Sequence, residues 1–162
     1  MSILSHASLV VPVDRRQSET ALAVARGTQR LLVALGHSCV CELPLASGRR
    51  ADLVALRHDG EIWIVEIKSS IEDFRVDQKW PEYRLYCDRL YFATAAHVPA
   101  VIFPQDAGLI VADAYGGELL REAPEHRLHA STRRSMMLCF ARAAARRLQA
   151  LSDPQGPYRE ES

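Results

Sequence analysis

The sequence has no excess of charge: 20 lysines and arginines face 20 aspartates and glutamates, so net charge names neither a nucleic acid nor a membrane as partner. No run approaches the roughly 20 consecutive apolar residues a bilayer span requires. The start lacks the basic segment and continuous apolar core of a signal peptide, which leads to the expectation of a cytoplasmic protein. There are four cysteines, Cys39, Cys41, Cys87 and Cys139, and they do not form the two close pairs of a zinc motif. Reduced, packed thiols are expected. The histidines show no ligand spacing, and neither internal repeats nor low-complexity blocks occur.

What is present is one domain's worth of patterned chain. Residues 1–17 carry no sustained period and read as a flexible arm. From Ser18 to Leu35 a capping serine, an early glutamate and the spacing Ala21, Val24, Ala25, Thr28, Leu31, Leu32, Leu35 predict an amphipathic helix, ended by Gly36. HSCVCELPL, ADLVAL and IWIVEIK then predict three meander strands separated by glycine turns. The polar stretch 71–87 predicts an irregular helical segment, with Asp77 as cap and Pro81 in its first turn. RLYFAT and GLIVADA predict buried strands. Tyr115-Gly116-Gly117 forms a turn into ELLRE, and a long helix covers about Ser131 to Leu151, with an apolar stripe of Met137, Phe140, Ala144, Leu148 and Leu151. Residues 152–162 read as a frayed tail, leaving 18–151 as the domain.

Both faces of the second and third strands are apolar, so the sheet should be covered on both sides by helices. Against that background Glu66 and Lys68, two apart at the end of IWIVEIK, are out of place. They share a face with Ile62 and Ile64, where charges are costly without a partner or a purpose. If His58-Asp59-Gly60 forms a three-residue turn with Gly60 left-handed, residues whose numbers sum to 118 lie opposite, and Asp52 faces Glu66 at roughly 5 Å between Cβ atoms. A two-residue turn would put them on opposite faces. Two carboxylates that close are expensive to ionise together unless a cation lies between them, and hard oxygen ligands suit Mg²⁺ or Mn²⁺. Such an ion with a nearby lysine serves phosphodiester hydrolysis. The plain alternative for Glu66 and Lys68 is a same-face ion pair at a strand end.

The hairpin RADLVALRHDGEIWIVEIKSS resembles the motif of the PD-(D/E)xK nuclease superfamily, with Ala51 where that motif has proline. The runs GRRADLVAL, EIWIVEIKSSIEDFRVDQKWPEY and GLIVADAYGGELLREAPEHRL are similar to the MmcB family of bacterial DNA repair proteins, over about Ser18 to Leu148. The resemblance implies a restriction-endonuclease-like α/β sandwich, a mixed sheet flanked by helices, acting on DNA in repair. It implies Asp52 and Glu66 as metal ligands, Lys68 as the catalytic cation, and Glu19, by its position on the first helix, as a further ligand. Glu42, beside Asp52, is the rival ligand; for Glu19 the plain role is to answer its helix dipole. Members that bind DNA without cutting keep a non-catalytic DNA-binding or protein-recruiting module open, and an RNA substrate is a third reading.

Candidate DNA contacts are Lys79 with Gln78 or Tyr83 to position it, against a solvated helix start. Arg142 and Arg146 are candidates on the acid-free arginine face of the last helix, against an ordinary solvated surface. Repair proteins and a second copy of the chain stay open as partners.

Overall fold

The computed structural model describes residues 18–157; the expected N-terminal arm and the last residues of the expected tail lie outside them. Helix α1 (Glu19–Ala34) leads into strands β1 (His37–Pro44), β2 (Arg50–Arg57) and β3 (Ile62–Lys68). A short helix α2 (Ile71–Val76) and a 3-10 segment (Trp80–Tyr86) connect to β4 (Arg89–Thr94). Strands β5 (Gly108–Ala112) and β6 (Gly117–Arg121) and the long helix α3 (Ala130–Ser152) complete the chain.

The six strands lie side by side in sequence order. β1, β2 and β3 are antiparallel, β4 runs parallel to β3 and to β5, and β6 returns antiparallel. The mixed sheet is therefore a meander joined to parallel crossovers, and strand parity assigns its faces. One face carries Leu53, Ala55, Trp63, Val65, Tyr91 and Ile110 against Val24 and Leu32 of α1. The other carries Val54, Ile62, Ile64 and Leu90 against Met136 and Ala143 of α3, with an aromatic group of Phe74, Trp80, Phe92 and Phe103 under α2 and the 3-10 segment. Helices cover both faces, as the two-sided strands require.

The turn after β2 decides the register. Gly60 has φ 90°, its N–H donates to the Arg57 carbonyl (3.0 Å), and the Arg57 N–H donates to the Glu61 carbonyl (2.9 Å). The β2–β3 pairs run from Leu56↔Ile62 to Leu53↔Val65, the expected register.

Two expectations shift. The segment after β3 is not one helix: α2 stops at Val76, and Pro81 opens a separate 3-10 turn. Lys79 consequently sits exposed ahead of that turn while Tyr83 is buried in it, so the two do not share an accessible face. The buried side of α3 is also rotated from the expected stripe. Met136 and Ala143 are buried and Phe140 and Ala144 packed, but Leu148 and Leu151 are exposed. Arg147 turns inward instead, its guanidinium donating to the carbonyls of Cys41 and Glu42 on the edge strand β1. All four cysteines are free thiols.

Gly27, in the middle of α1, sits where a Cβ would come within 2.0 Å of the Asp113 carbonyl oxygen and 2.4 Å of that of Gly116. Helix propensity alone favours Gly27→Ala by about 1 kcal/mol. Because the obstructing atoms are backbone, the substitution should instead cost about 2–3 kcal/mol or more, read as a lower urea midpoint.

Candidate functional site

The β2–β3 ladder stops at Leu53↔Val65, one pair short of Asp52 and Glu66. There the two carboxylates replace the ladder. The Asp52 N–H donates to Glu66 Oε1 (3.2 Å), and the Ile67 N–H donates to Asp52 Oδ2 (2.8 Å). Each side chain thus satisfies the opposite strand's backbone with one oxygen and leaves its other oxygen outside these bonds. β3 keeps its pairing with β4 through Glu66↔Phe92 and Lys68↔Thr94, and Thr94 Oγ1 donates to the Lys68 carbonyl (2.6 Å). The pair is therefore set in a fork between strands, on the sheet face that α3 covers.

Burial dominates its electrostatics. Glu66 is 3% exposed, and its carboxyl is held well above the ordinary range by desolvation and then by the charge of Asp52. Desolvation likewise pushes Asp52 up to about 6, against the pull of the Ile67 N–H and Lys68, while Glu42 and Asp73 add to the rise. Both carboxyls therefore hold protons to higher pH than free ones, chiefly because they are buried. Buried Lys68 donates from Nζ to Asp77 Oδ2 at 2.6 Å. Burial works against its ammonium, but Asp77 outweighs it and the pKa is raised.

Asp77 was expected only as a helix cap. It does accept the Lys79 N–H (3.0 Å), and it also neutralises Lys68. Asp73 completes this wall by accepting the Ser69 N–H at 3.0 Å. The Tyr83 hydroxyl donates to the Arg50 carbonyl (3.1 Å), and its pKa is raised by burial and then by the charges of Glu66, Asp52 and Asp77, which places the ring beside the pair.

The remaining candidates are dispersed. Glu19 is exposed on α1, which packs on the opposite face of the sheet, so it does not join Asp52 and Glu66. Among the described residues no three His, Cys, Asp or Glu side chains converge into a group that could hold a metal ion. An ion placed here would meet two carboxylates, a donor set of the kind that Mg²⁺ completes with water and phosphate. Glu42 is nearer than Glu19: its charge reaches Asp52, and its carboxylate pairs with Arg50 (2.5 Å). Gln78 is exposed and donates to the Arg75 carbonyl (2.8 Å); Arg142 is exposed and Arg146 half-buried on α3.

A cavity of about 670 Å³ lies elsewhere, between the start of α1 and the ends of β4 and β5. Thr20, Ala23, Ala95, Ala112 and Gly116 line it, but none of the charged groups of the pair does, so the site's chemistry is not there. Among the described residues no helix is long and apolar enough to cross a membrane.

No curated protein matches the chain. Among solved structures, the SPO1766 protein of unknown function from Silicibacter pomeroyi is 43% identical to it, with a TM-score of 0.84, covering 90% of this chain and 99% of that one. The family model described as DNA repair protein MmcB-like matches residues 10–155. A match over that much of the sequence means that the chain belongs to the MmcB-like family of DNA repair proteins.

Proposed function

We propose that the protein hydrolyses phosphodiester bonds in DNA during repair, on a restriction-endonuclease type of fold, with Asp52 and Glu66 holding Mg²⁺ or Mn²⁺ and Lys68 serving the attacking water. The observation that carries this reading is the crossed pair: two buried carboxylates fixed by each other's strand, each with an oxygen to spare, beside a buried ammonium. When bound, the ion would polarise the phosphodiester and ease deprotonation of water. Backbone bonds keep the two acids in place, so little reorganisation is needed. Lys68 is held charged by Asp77, and an ammonium there can orient a water or stabilise charge developing on phosphorus.

One observation favours a second reading. With Lys68 closed on Asp77 and no third ligand converging among the described residues, the cluster would serve only to hold the strand ends, in a DNA-binding or protein-recruiting module.

Titration calorimetry with Mn²⁺, run beside a cleavage assay on single-stranded, duplex, flap and junction DNA with metal or chelator, separates the two. Binding must displace protons from acids whose pKa values are raised, so affinity should climb about tenfold between pH 5.5 and 7.5. Cleavage should require the metal. Absence of binding heat together with intact DNA in every lane would leave the module.

A further inference from the structure

The acidic pair sits in surroundings that repel its proposed substrate. Asp52, Asp73 and Asp77 surround the single Lys68, whose ammonium is already paired with Asp77. Beyond the ion that the pair would hold, a neighbouring phosphate of the incoming backbone calls for a cation of the protein's own. Arg50 lies on β2 two residues before Asp52, hence on the same face. Its root is fixed, because the buried Tyr83 hydroxyl binds its carbonyl, while its side chain is 55% exposed and pairs through Nε with Glu42 at 2.5 Å. Neighbouring Arg49, just before β2, is already engaged with Glu82 of the 3-10 segment at 2.5 Å.

Glu42 itself is unusual. Among the described residues it is the one non-glycine residue with positive φ (52°), in the middle of β1. Arg147 holds that conformation by donating to the carbonyls of Cys41 and Glu42. A strained backbone persists where the surroundings over-determine it, and here it presents a carboxylate to Arg50 beside the pair.

We propose that Arg50 docks a phosphate of the nucleic-acid backbone against the acidic pair, and that Glu42 occupies its guanidinium until the phosphate replaces it. Both anions suit the guanidinium fork. The inference deepens the nuclease reading and takes its substrate class from it.

Fluorescence anisotropy with duplex DNA in Ca²⁺, over a series of salt concentrations, tests this without needing cleavage. Arg50→Ala should bind about tenfold more weakly, and the slope of log affinity against log salt should fall by about one. Arg50→Lys should recover part of the affinity. Glu42→Gln keeps the size and the backbone strain of the residue but weakens its hold, so it should bind DNA more tightly than wild type. The double variant should match Arg50→Ala, since the gain acts only through Arg50. A generic loss of negative charge would raise affinity in both backgrounds and would overturn the proposal. So would Arg50→Ala binding within twofold of wild type at an unchanged slope, or a wild type that binds no DNA. A wild type that binds in the expected way yet cleaves nothing with Mn²⁺ defeats the nuclease reading and leaves the docking role supported.

Discussion

Asp52→Asn should cleave DNA at least about a thousandfold more slowly than wild type, a loss of about 4 kcal/mol of transition-state stabilisation, and still fold. The amide keeps an oxygen for the Ile67 N–H, so the fork between β2 and β3 stays closed. It removes the charge that pushes the Glu66 pKa upward. The sign of the stability effect follows from the raised pKa of Asp52, about 6 against an ordinary 3.8. A group protonated more readily in the folded state favours folding at low pH and loses that contribution as pH rises through its folded value. Metal-free wild type should therefore fall behind Asp52→Asn in melting temperature as pH rises from 4 to above 6, with little difference at pH 4. Lys68→Ala should lose about a hundred- to a thousandfold in rate, as does removal of one preorganised donor. Metal affinity should be largely retained, because Lys68 is not a ligand in this reading. Wild-type rates in both variants would reduce the cluster to a structural device.

How much of this could be read from the sequence varies with the range of the interaction. The convergence of Asp52 and Glu66 was legible because one short turn fixes it: Gly60 takes the left-handed conformation, and period-two alternation does the rest. Coverage on both faces was legible because Leu53, Val54, Ile64 and Val65 leave no polar side to β2 or β3. The phase of α3 was not. Its alanines and leucines fit more than one stripe, and the choice is made by Arg147 reaching backbone carbonyls more than 100 residues away in sequence. The Lys68–Asp77 contact was hidden for a related reason, since it depends on how α2 ends and the chain turns before Trp80. Glu19 was placed by resemblance alone, and the packing of α1 on the far face sets it apart from the pair. The strain at Glu42 has no signature in its residue type.

Asp88 makes the case that the largest stability effect lies away from the pair, at the other end of β3. The residue is 2% exposed and its carboxylate serves four donors: the Ile62 N–H (2.8 Å), the Leu128 N–H (2.9 Å) and both Arg133 Nη atoms (2.7 and 2.6 Å). Arg133 Nη1 also reaches the Gly60 carbonyl (2.7 Å), and the Asp88 carbonyl accepts the His126 N–H (2.7 Å). The Asp88–Arg133 pair thus joins the start of β3, the β2–β3 turn, the segment before α3 and α3 itself. Asp88→Ala strands a half-buried guanidinium and two backbone donors, so it should cost about 3–5 kcal/mol. For a domain whose stability is of order 5–15 kcal/mol, that is a large share, visible as a lower urea midpoint at similar slope. Burial raises the Asp88 pKa, but the Arg133 and backbone bonds outweigh it and the net shift is downward. Its contribution should therefore be present above the ordinary value of 3.8 and fade as pH falls through the lower folded value, narrowing the gap between wild type and variant in acid. Arg133→Lys, which keeps the charge but loses the fork, should show a smaller loss. Because β3 separates Asp88 from Glu66 by about 13 Å at the usual rise of a strand, cleavage by the Asp88 variant, assayed cold where it remains folded, should stay within a few fold of wild type. A loss of activity that persists in the folded variant would mean that the two ends of β3 are coupled.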